Sequence, residues 1–284
     1  MPELPEVEVL VRHLAPLLRH RTILSVDVRR PRVLRPTSPR ELKRTLTGAR
    51  LAGLSRRGKY LLFKIRPRAR ADATILVGHL GMTGRMYLLP KKAILPKHAA
   101  VVLGLGEEQF VFEDTRYFGR FTLDLTLLDA LGPEPLNPEF TAQALMAGLA
   151  RSGQPIKVKL LDQSLVAGIG NIYASEALFR SGISPKAPAR RINARDASRL
   201  WSAIRRTLSD AIQFGSTVPL DYAGAGEKEL LFYYGRLPGT SASYEERLQV
   251  YDRKGQPCFK CGSMIRRIVQ AARSTFYCPQ CQPN

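Results

Sequence analysis

The chain has 284 residues, 44% of them hydrophobic, a composition typical of a folded protein of about two domains. Its 44 Lys and Arg residues outnumber 24 Asp and Glu residues, which gives a net charge of +20. This excess predicts a polyanionic partner, nucleic acid first, with a merely solvated basic surface as the alternative. The basic residues are spread along the chain, which favours a folded groove that follows phosphates over one disordered basic tail.

The amino terminus combines a proline with acidic residues. Apolar residues at helical spacing predict a helix over 2–18, bent or shortened near its end by Pro16. If Met1 is removed, Pro2 becomes the terminal residue. Its secondary amine is then partly neutral at cellular pH, because the pKa of an α-amino group is about 7.7–8.0. Such an amine can attack an electrophilic carbon and form an iminium. The alternative is that Pro2 only starts the helix.

Short apolar runs follow this helix, separated by Gly, Pro and Arg clusters. They predict strands at 23–28, 51–55, 60–65, 74–78, 99–105, 109–113 and 121–125. Strands of this length and spacing are typical of a sandwich or barrel. The helix and these strands form a predicted first domain, residues 1–131.

A proline-rich linker, 132–140, precedes a change to helical periodicity. The predicted helices are 141–150, 155–161, 171–181, 194–214 and 227–233. Residues 215–247 are rich in Gly, Tyr and Ser and predict a long loop. A helical domain therefore covers 141–247, and a short module follows at 248–284.

This last module contains all the cysteines of the chain: Cys258, Cys261, Cys278 and Cys281. Two CxxC pairs at this separation match the four-cysteine zinc template. Four thiolates leave no open coordination position, so we expect one structural Zn²⁺. A disulfide is disfavoured because nothing indicates an oxidising compartment. The metal would fix a β-hairpin over 264–277.

Gly168 and Gly170 lie just before the predicted helix at 171–181. Glycines there let backbone amides approach an anion, and the helix N-terminus favours a phosphate. Asn171 could cap the helix and donate to a phosphate oxygen. The alternative is a simple turn.

Six segments, in order and nearly end to end, resemble the bacterial formamidopyrimidine-DNA glycosylases. They are MPELPEVE at 1–8, RRGKY at 56–60, HLGMTG at 79–84, DTRYFG at 114–119, GIGNIYASE at 168–176 and ARSTFYCPQCQ at 272–282. The resemblance implies an α+β multidomain fold: an N-terminal helix plus β-sandwich, a helix-two-turn-helix domain and a C-terminal zinc-finger β-hairpin. It also implies excision of oxidised purines, such as 8-oxoguanine and formamidopyrimidines, from double-stranded DNA. Strand cleavage by β,δ-elimination would follow.

The resemblance further implies residue roles. Pro2 would attack the sugar C1′, and Glu3 would protonate or otherwise assist the sugar and leaving group. Lys59 would contact phosphate and assist β-elimination, and Arg273 would clamp the phosphates and assist δ-elimination. A wedge would fill the gap left by the flipped base, since a base inside the stack is unreachable. The implied wedge is Met82, Arg116 and Phe118, and the other implied DNA-binding residues are His98, Arg151, Lys157, Gly170 and Asn171.

The sequence departs from the family pattern at several places. Ala100 stands where a second histidine is frequent, which implies one phosphate contact fewer. Asp252 stands where glycine is common. Residues 220–246 are longer and differently composed than usual, and this region borders the lesion pocket in the family. The preferred damaged base is therefore the property least determined by the resemblance.

Three alternatives remain at this point. One is an endonuclease VIII-like glycosylase for oxidised pyrimidines, which usually has glycine at the position of Leu4. Another is a non-catalytic damaged-DNA-binding protein of the same fold, which would not need Pro2, Glu3 and Lys59. The third is an RNA-binding protein that uses only the zinc module. Because the sequence shows no basic leader and no long apolar run, we expect a cytoplasmic protein. We also expect a monomer, and the resemblance to bacterial enzymes implies association with the nucleoid.

Overall fold

The computed structural model describes residues 2–68, 72–214 and 248–283. These residues form two compact units that divide near residue 130. The first contains Pro2 and Glu6–Asp129, and the second contains Glu3–Pro5 with the described chain from Ala130 onward. In this part of the chain, no helix combines the length and apolarity needed to cross a membrane. The predicted helix at 227–233 and the loop at 215–247 lie outside the described residues.

Helix α1 spans Leu4–Leu18, which confirms the first predicted helix apart from its two leading residues. Its buried stripe includes Val7, Leu10 and Leu14, all fully inaccessible. Contrary to the expectation, Pro16 does not shorten the helix. The helical hydrogen bonding continues beyond it, since the amide of Arg19 donates to the carbonyl of Ala15 at 3.0 Å. Pro16 lacks only its own N–H donor to the preceding turn, so the later amides can still form helical hydrogen bonds.

In the described part of the first unit, eight strands form two antiparallel sheets. They are β1 (Ser25–Val28), β2 (Arg50–Arg57), β3 (Tyr60–Arg66), β4 (Thr74–His79), β5 (Arg85–Pro90), β6 (Ala99–Gly104), β7 (Glu108–Glu113) and β8 (Arg120–Thr122). One sheet has the order β2-β3-β4-β8 and the other β1-β6-β7-β5. Phe63 of β3 packs edge-on against Phe110 of β7, with ring centroids 5.6 Å apart. This contact joins the two sheets and confirms a sandwich.

Three of the strands and α-helices described in the first unit were not predicted. Strand β5 is apolar on both faces and ends on a proline, so it lacks the alternation of a half-buried strand. Helix α2, Pro39–Leu46, is mostly polar and buries only Leu42 and Leu46. Ser38 caps it by accepting from the amide of Glu41 at 3.1 Å. A short α3, Thr126–Asp129, ends the first unit.

The second unit contains α4 (Ala142–Leu149), α5 (Ile156–Lys159), α6 (Asn171–Ser181) and α7 (Ala194–Phe214). The bounds of α6 and α7 are those predicted, while α4 and α5 are shorter. Helix α6 ends at Gly182, whose positive φ of 69° closes the helix without a side-chain clash. Leu4 contributes to this second hydrophobic core, although it starts α1.

Strands β9 (Arg266–Gln270) and β10 (Arg273–Tyr277) form the predicted hairpin in the last module. Ala271 and Ala272 make its turn with φ values of 47° and 58°, the left-handed pair that a two-residue hairpin turn requires. Asp252 also has a positive φ, 58°. Aspartate tolerates this conformation, so the position still adopts the backbone for which glycine is the usual choice. The predicted α+β multidomain fold class is confirmed.

Candidate functional site

The carboxylate of Glu3 lies on the N-terminus of α6. Glu3 is 2% exposed and accepts from the amides of Gly170 at 2.7 Å, Ile172 at 2.8 Å and Tyr173 at 3.3 Å. Three N–H donors and the positive end of the helix dipole favour the ionised carboxylate. Glu3 is therefore held in one orientation by backbone atoms.

This contact adds a second anion to the phosphate site predicted at 168–171, and the phosphate contacts of Gly170 and Asn171 stay a prediction. The anion that the helix amides bind in the structure is Glu3 itself. A Cβ on Gly170 would lie 2.3 Å from Cδ of Glu3, and a Cβ on Gly168 would lie 2.6 Å from Cδ1 of Leu4. Both glycines therefore make room for the amino-terminal residues. Gly168 also needs its positive φ of 89°.

Asn171 does not cap α6, because Gly170 is the N-cap and Asn171 is the first helical residue. Its side chain bridges two elements of the second unit instead. Nδ2 donates to the carbonyl of Ser274 on β10 at 2.9 Å, and Oδ1 accepts from Nζ of Lys157. The cap prediction was wrong because Glu3, distant in sequence, already satisfies the first amides.

Lys157 is fully buried beside Asn171. Burial is the main reason that the pKa of Lys157 falls to about 8; the nearby Glu3 carboxylate opposes the shift and Arg273 adds to it. The exposed Arg273 starts β10. The second unit thus brings Glu3, Lys157, Asn171 and Arg273 into one electrostatic neighbourhood. Arg151, by contrast, is exposed just beyond α4.

The first unit places Lys59 in the turn between β2 and β3, where it is only 6% exposed, and Pro2 is buried as well. His79 ends β4 nearby and was not predicted as a site residue. Burial, Lys59 and Arg120 lower the pKa of His79 to about 4. Its Nδ1 accepts from the amide of Gly81 at 3.1 Å, which puts the imidazole proton on Nε2. A neutral donor therefore lies close to the Lys59 ammonium.

Two exposed apolar side chains mark the predicted wedge. Met82 is 44% exposed and Phe118 is 47% exposed, so neither is an ordinary core residue. The guanidinium of Arg116 lies over the Phe118 ring, 5.0 Å from its centroid. The loop before β5 and the loop after β7 thus present apolar groups and a cation to solvent.

His98 lies in a small network that was also not predicted. Its Nδ1 is 3.3 Å from the hydroxyl of Tyr117, and Nε of Arg30 donates to the same hydroxyl at 3.0 Å. Ala100 is fully buried in β6, and its carbonyl accepts from the amide of Arg30 at 3.1 Å. Arg30 is therefore a further basic group next to His98.

The four cysteine Sγ atoms lie within 4.8 Å of one another. Cys258 and Cys281 are 3.9 Å apart and Cys261 and Cys278 are 3.5 Å apart, sulfur to sulfur. These distances are too long for disulfides and suit a tetrahedron with Zn–S bonds of about 2.3 Å. The set holds one structural Zn²⁺ through its thiolates.

Glu176 fastens α6 to the segment that leads into the zinc module. Its buried carboxylate accepts from the amides of Gln249, Val250 and Tyr251, at 2.9, 2.9 and 2.8 Å. Burial raises the pKa of Glu176 against these hydrogen bonds. In the sequence, the available signal for this role was a glutamate among the apolar residues of the predicted helix at 171–181.

Comparison with known proteins places the chain in a family. The model of the formamidopyrimidine-DNA glycosylase N-terminal domain matches residues 1–121, that of the formamidopyrimidine-DNA glycosylase H2TH domain matches 131–220, and the zinc finger found in FPG and IleRS matches 255–284.

Full-length relatives and solved structures agree with these matches. The formamidopyrimidine-DNA glycosylase of Carboxydothermus hydrogenoformans is 39% identical over 99% of this chain and 100% of its own. That of Moorella thermoacetica is 43% identical over 94% of each chain. The Lactococcus lactis Fpg in complex with a THF-DNA and an inhibitor has a TM-score of 0.88 and 33% identity, with both chains covered completely. The chain therefore belongs to the formamidopyrimidine-DNA glycosylase family and is a base-excision repair glycosylase.

Proposed function

We propose that the chain removes oxidised purines from duplex DNA through its amino-terminal proline and then cleaves the strand at the abasic site. The observation that carries this proposal is the fixed carboxylate of Glu3, directly after Pro2 in the chain. The relatives named above support the activity. Solved structures of the Lactococcus lactis protein with DNA containing Fapy-dG or an abasic site support the substrate class.

In the proposed reaction, the lone pair of the Pro2 nitrogen forms a bond to C1′ of the damaged nucleotide. The glycosidic C–N bond breaks, and its electron pair leaves with the base, which takes up a proton. The nitrogen then loses its proton, and its lone pair forms a C=N bond while the bond from C1′ to O4′ breaks and O4′ takes up a proton. Because proline is a secondary amine, the product is an iminium that stays cationic at every pH. Its charge acidifies the C2′ hydrogens, and loss of one expels the 3′ phosphate.

The remaining residues have supporting roles in this proposal. Glu3, held in place by three amides, protonates or otherwise assists the sugar and the leaving group. Lys59 contacts phosphate and assists β-elimination, while Arg273 assists δ-elimination. Met82 and Phe118 fill the gap in the stack. The remaining proposed DNA contacts are His98, Arg116, Arg151, Lys157, Gly170 and Asn171.

Borohydride trapping tests the attack by Pro2. We expect wild-type protein, mixed with a duplex carrying 8-oxoguanine opposite cytosine, to give a covalent adduct that mass spectrometry locates at residue 2. In Pro2→Gly the amine is primary, and we expect excision to slow by about 10-fold or more, with unchanged salt dependence of DNA binding. Protein that retains Met1 is the control and gives no adduct. An adduct at a lysine instead, or none with an abasic duplex, contradicts the proposal.

A second test uses the pKa of Lys157. Because this pKa is depressed to about 8, the ammonium is present at pH 7 and largely lost at pH 9. If its charge supports phosphate binding through Asn171, the slope of log affinity against log salt falls by up to about 0.9 over this range.

The matched variants are Lys157→Met and Lys159→Met. Lys157→Met should have the lower slope already at pH 7 and lose the pH-dependent change. Lys159→Met removes a charge two residues away that is paired with Asp162. This variant should keep the change of the slope with pH. Equal pH dependence in all three proteins, measured by fluorescence anisotropy, would show that Lys157 does not contribute.

The domain boundaries 1–131, 141–247 and 248–284 belong to the same proposal, as do a monomeric state and action on the chromosome in the bacterial cytoplasm. The bacterial relatives support this location. The lesion loop proposed at 220–246 lies outside the described residues.

Oxidised pyrimidines are a second candidate substrate class. The Lactococcus lactis protein has been solved with DNA containing an oxidised pyrimidine. Excision rates on matched duplexes that differ only in the damaged base decide between the two classes. A faster rate on the oxidised pyrimidine would favour the second candidate.

A further inference from the structure

A buried carboxylate joins the two loops that carry Met82 and Phe118. Asp114 is fully inaccessible. Its Oδ1 accepts from the hydroxyl of Thr83 at 2.7 Å and from the amide of Arg116 at 3.1 Å, and its Oδ2 accepts from the amide of Gly119 at 2.8 Å. Thr83 belongs to the loop between β4 and β5, and the amides of Arg116 and Gly119 belong to the loop between β7 and β8.

The backbones of the two loops are also in direct contact. A Cβ on Gly81 would lie 2.6 Å from the amide nitrogen of Gly119 and 2.7 Å from the carbonyl carbon of Phe118. Gly81 has a positive φ of 60°. The loops can therefore approach this closely only with glycine at position 81.

Between the two amides bound by Asp114 lies a residue in an unfavourable conformation. Tyr117 has a φ of 54°, in the left-handed region that a bulky side chain rarely adopts. Such a conformation persists where surrounding contacts hold it. The amides of residues 116 and 119 flank Tyr117, so the Asp114 carboxylate holds the turn from both sides.

We propose that Asp114 is the positioning residue of the wedge: it sets Met82 relative to Arg116 and Phe118, so that the three side chains enter the DNA stack as one unit. This proposal rests on the proposed function. Met82 directly precedes Thr83, and the other two wedge residues lie within the turn that Asp114 holds. Asp114 itself is inaccessible and acts through these loops without touching DNA.

The test compares Asp114→Asn, Thr83→Val and Thr83→Ser. An amide at position 114 offers one acceptor and one donor where the structure needs two acceptors, so either orientation opposes a backbone N–H. Thr83→Val removes only the hydroxyl, and Thr83→Ser restores it. Asp124→Asn is the matched control, because Asp124 likewise accepts from the amide and hydroxyl of Thr126, in a turn of the same unit that contains none of the wedge residues.

Three measurements distinguish positioning from a general structural role. We expect Asp114→Asn to slow excision of 8-oxoguanine from duplex DNA by about 10- to 100-fold, and Thr83→Val by less. Cleavage of single-stranded DNA at a preformed abasic site needs no wedge and should stay within about twofold of wild type. The fluorescence increase of 2-aminopurine placed next to the lesion, which reports wedge insertion, should fall in both variants and recover in Thr83→Ser.

Unchanged duplex excision and unchanged 2-aminopurine fluorescence in Asp114→Asn would overturn the proposal. So would a parallel loss of both cleavage activities together with the melting temperature, which would make Asp114 merely structural. If the wild-type protein itself excises nothing, the proposed function fails. The fluorescence of bound DNA, which requires no chemistry, still decides the role of Asp114.

Discussion

Gly170→Ala is expected to slow base excision by about 100-fold or more while DNA affinity changes by only a few-fold. The added Cβ would lie 2.3 Å from Cδ and 2.4 Å from Oε1 of Glu3, far inside van der Waals contact. The carboxylate would have to leave the amides of Gly170, Ile172 and Tyr173. A displacement of about 1 Å in a reacting group costs on the order of 100-fold in rate. Single-turnover excision and equilibrium binding measure the two quantities.

The structural cost of this substitution should be small by comparison. A carboxylate at a helix N-terminus contributes about 0.3–1 kcal/mol to the free energy of unfolding, up to about 2 kcal/mol when partly buried. Gly53→Ala is the matched control, because a Cβ there has no atom within 4 Å. If Gly170 acts through Glu3, then the double variant with Glu3→Ala should be no slower than Glu3→Ala alone. Additive losses would show that Gly170 acts separately.

The contrast between Glu3 and Asn171 shows what the sequence could and could not predict in the site. The glycines before α6 were recognised as a place where an anion meets helix amides, which is a local property of the turn. The contact of Glu3 with these amides was not predictable, since it joins residues 167 positions apart. Asn171 was assigned the cap because the cap rule considers only neighbouring residues.

Sequence patterns report local properties, and this also explains which elements of the fold were predicted. Helices α6 and α7 were predicted with their observed bounds, because each has a long apolar stripe and α6 ends at a glycine. Helix α2 was missed because two buried leucines in eight residues give little periodicity. Strand β5 was missed because burial on both faces removes alternation. His79 and Asp114 lie in segments that carry the family resemblance, but their roles depend on partners from other parts of the chain.

Loss of the zinc ion is the other change with a large expected effect. The core of the zinc module is small, built from the two buried cysteines with Phe179, Val250, Ile265 and Phe276. So few apolar residues cannot stabilise a hairpin alone, and a structural zinc site contributes on the order of 10 kcal/mol to folding. We expect Cys281→Ser to lose zinc and to bind duplex DNA about 100-fold more weakly, because several phosphate-binding groups are lost together.

The loss should reach beyond the hairpin. Arg273 begins β10, and the next residue, Ser274, accepts from Nδ2 of Asn171. Unfolding of β10 therefore removes Arg273 from the proposed phosphate site. It also releases the Asn171 side chain from its hydrogen bond to Ser274. Cys281→His, which retains a zinc ligand, should keep much of the metal and of the affinity. Helices α6 and α7 should stay folded in both variants, because most of their buried apolar residues belong to a second core. Metal content, circular dichroism and binding, measured on one preparation, test this chain of events. DNA binding of wild-type strength by zinc-free Cys281→Ser would contradict it.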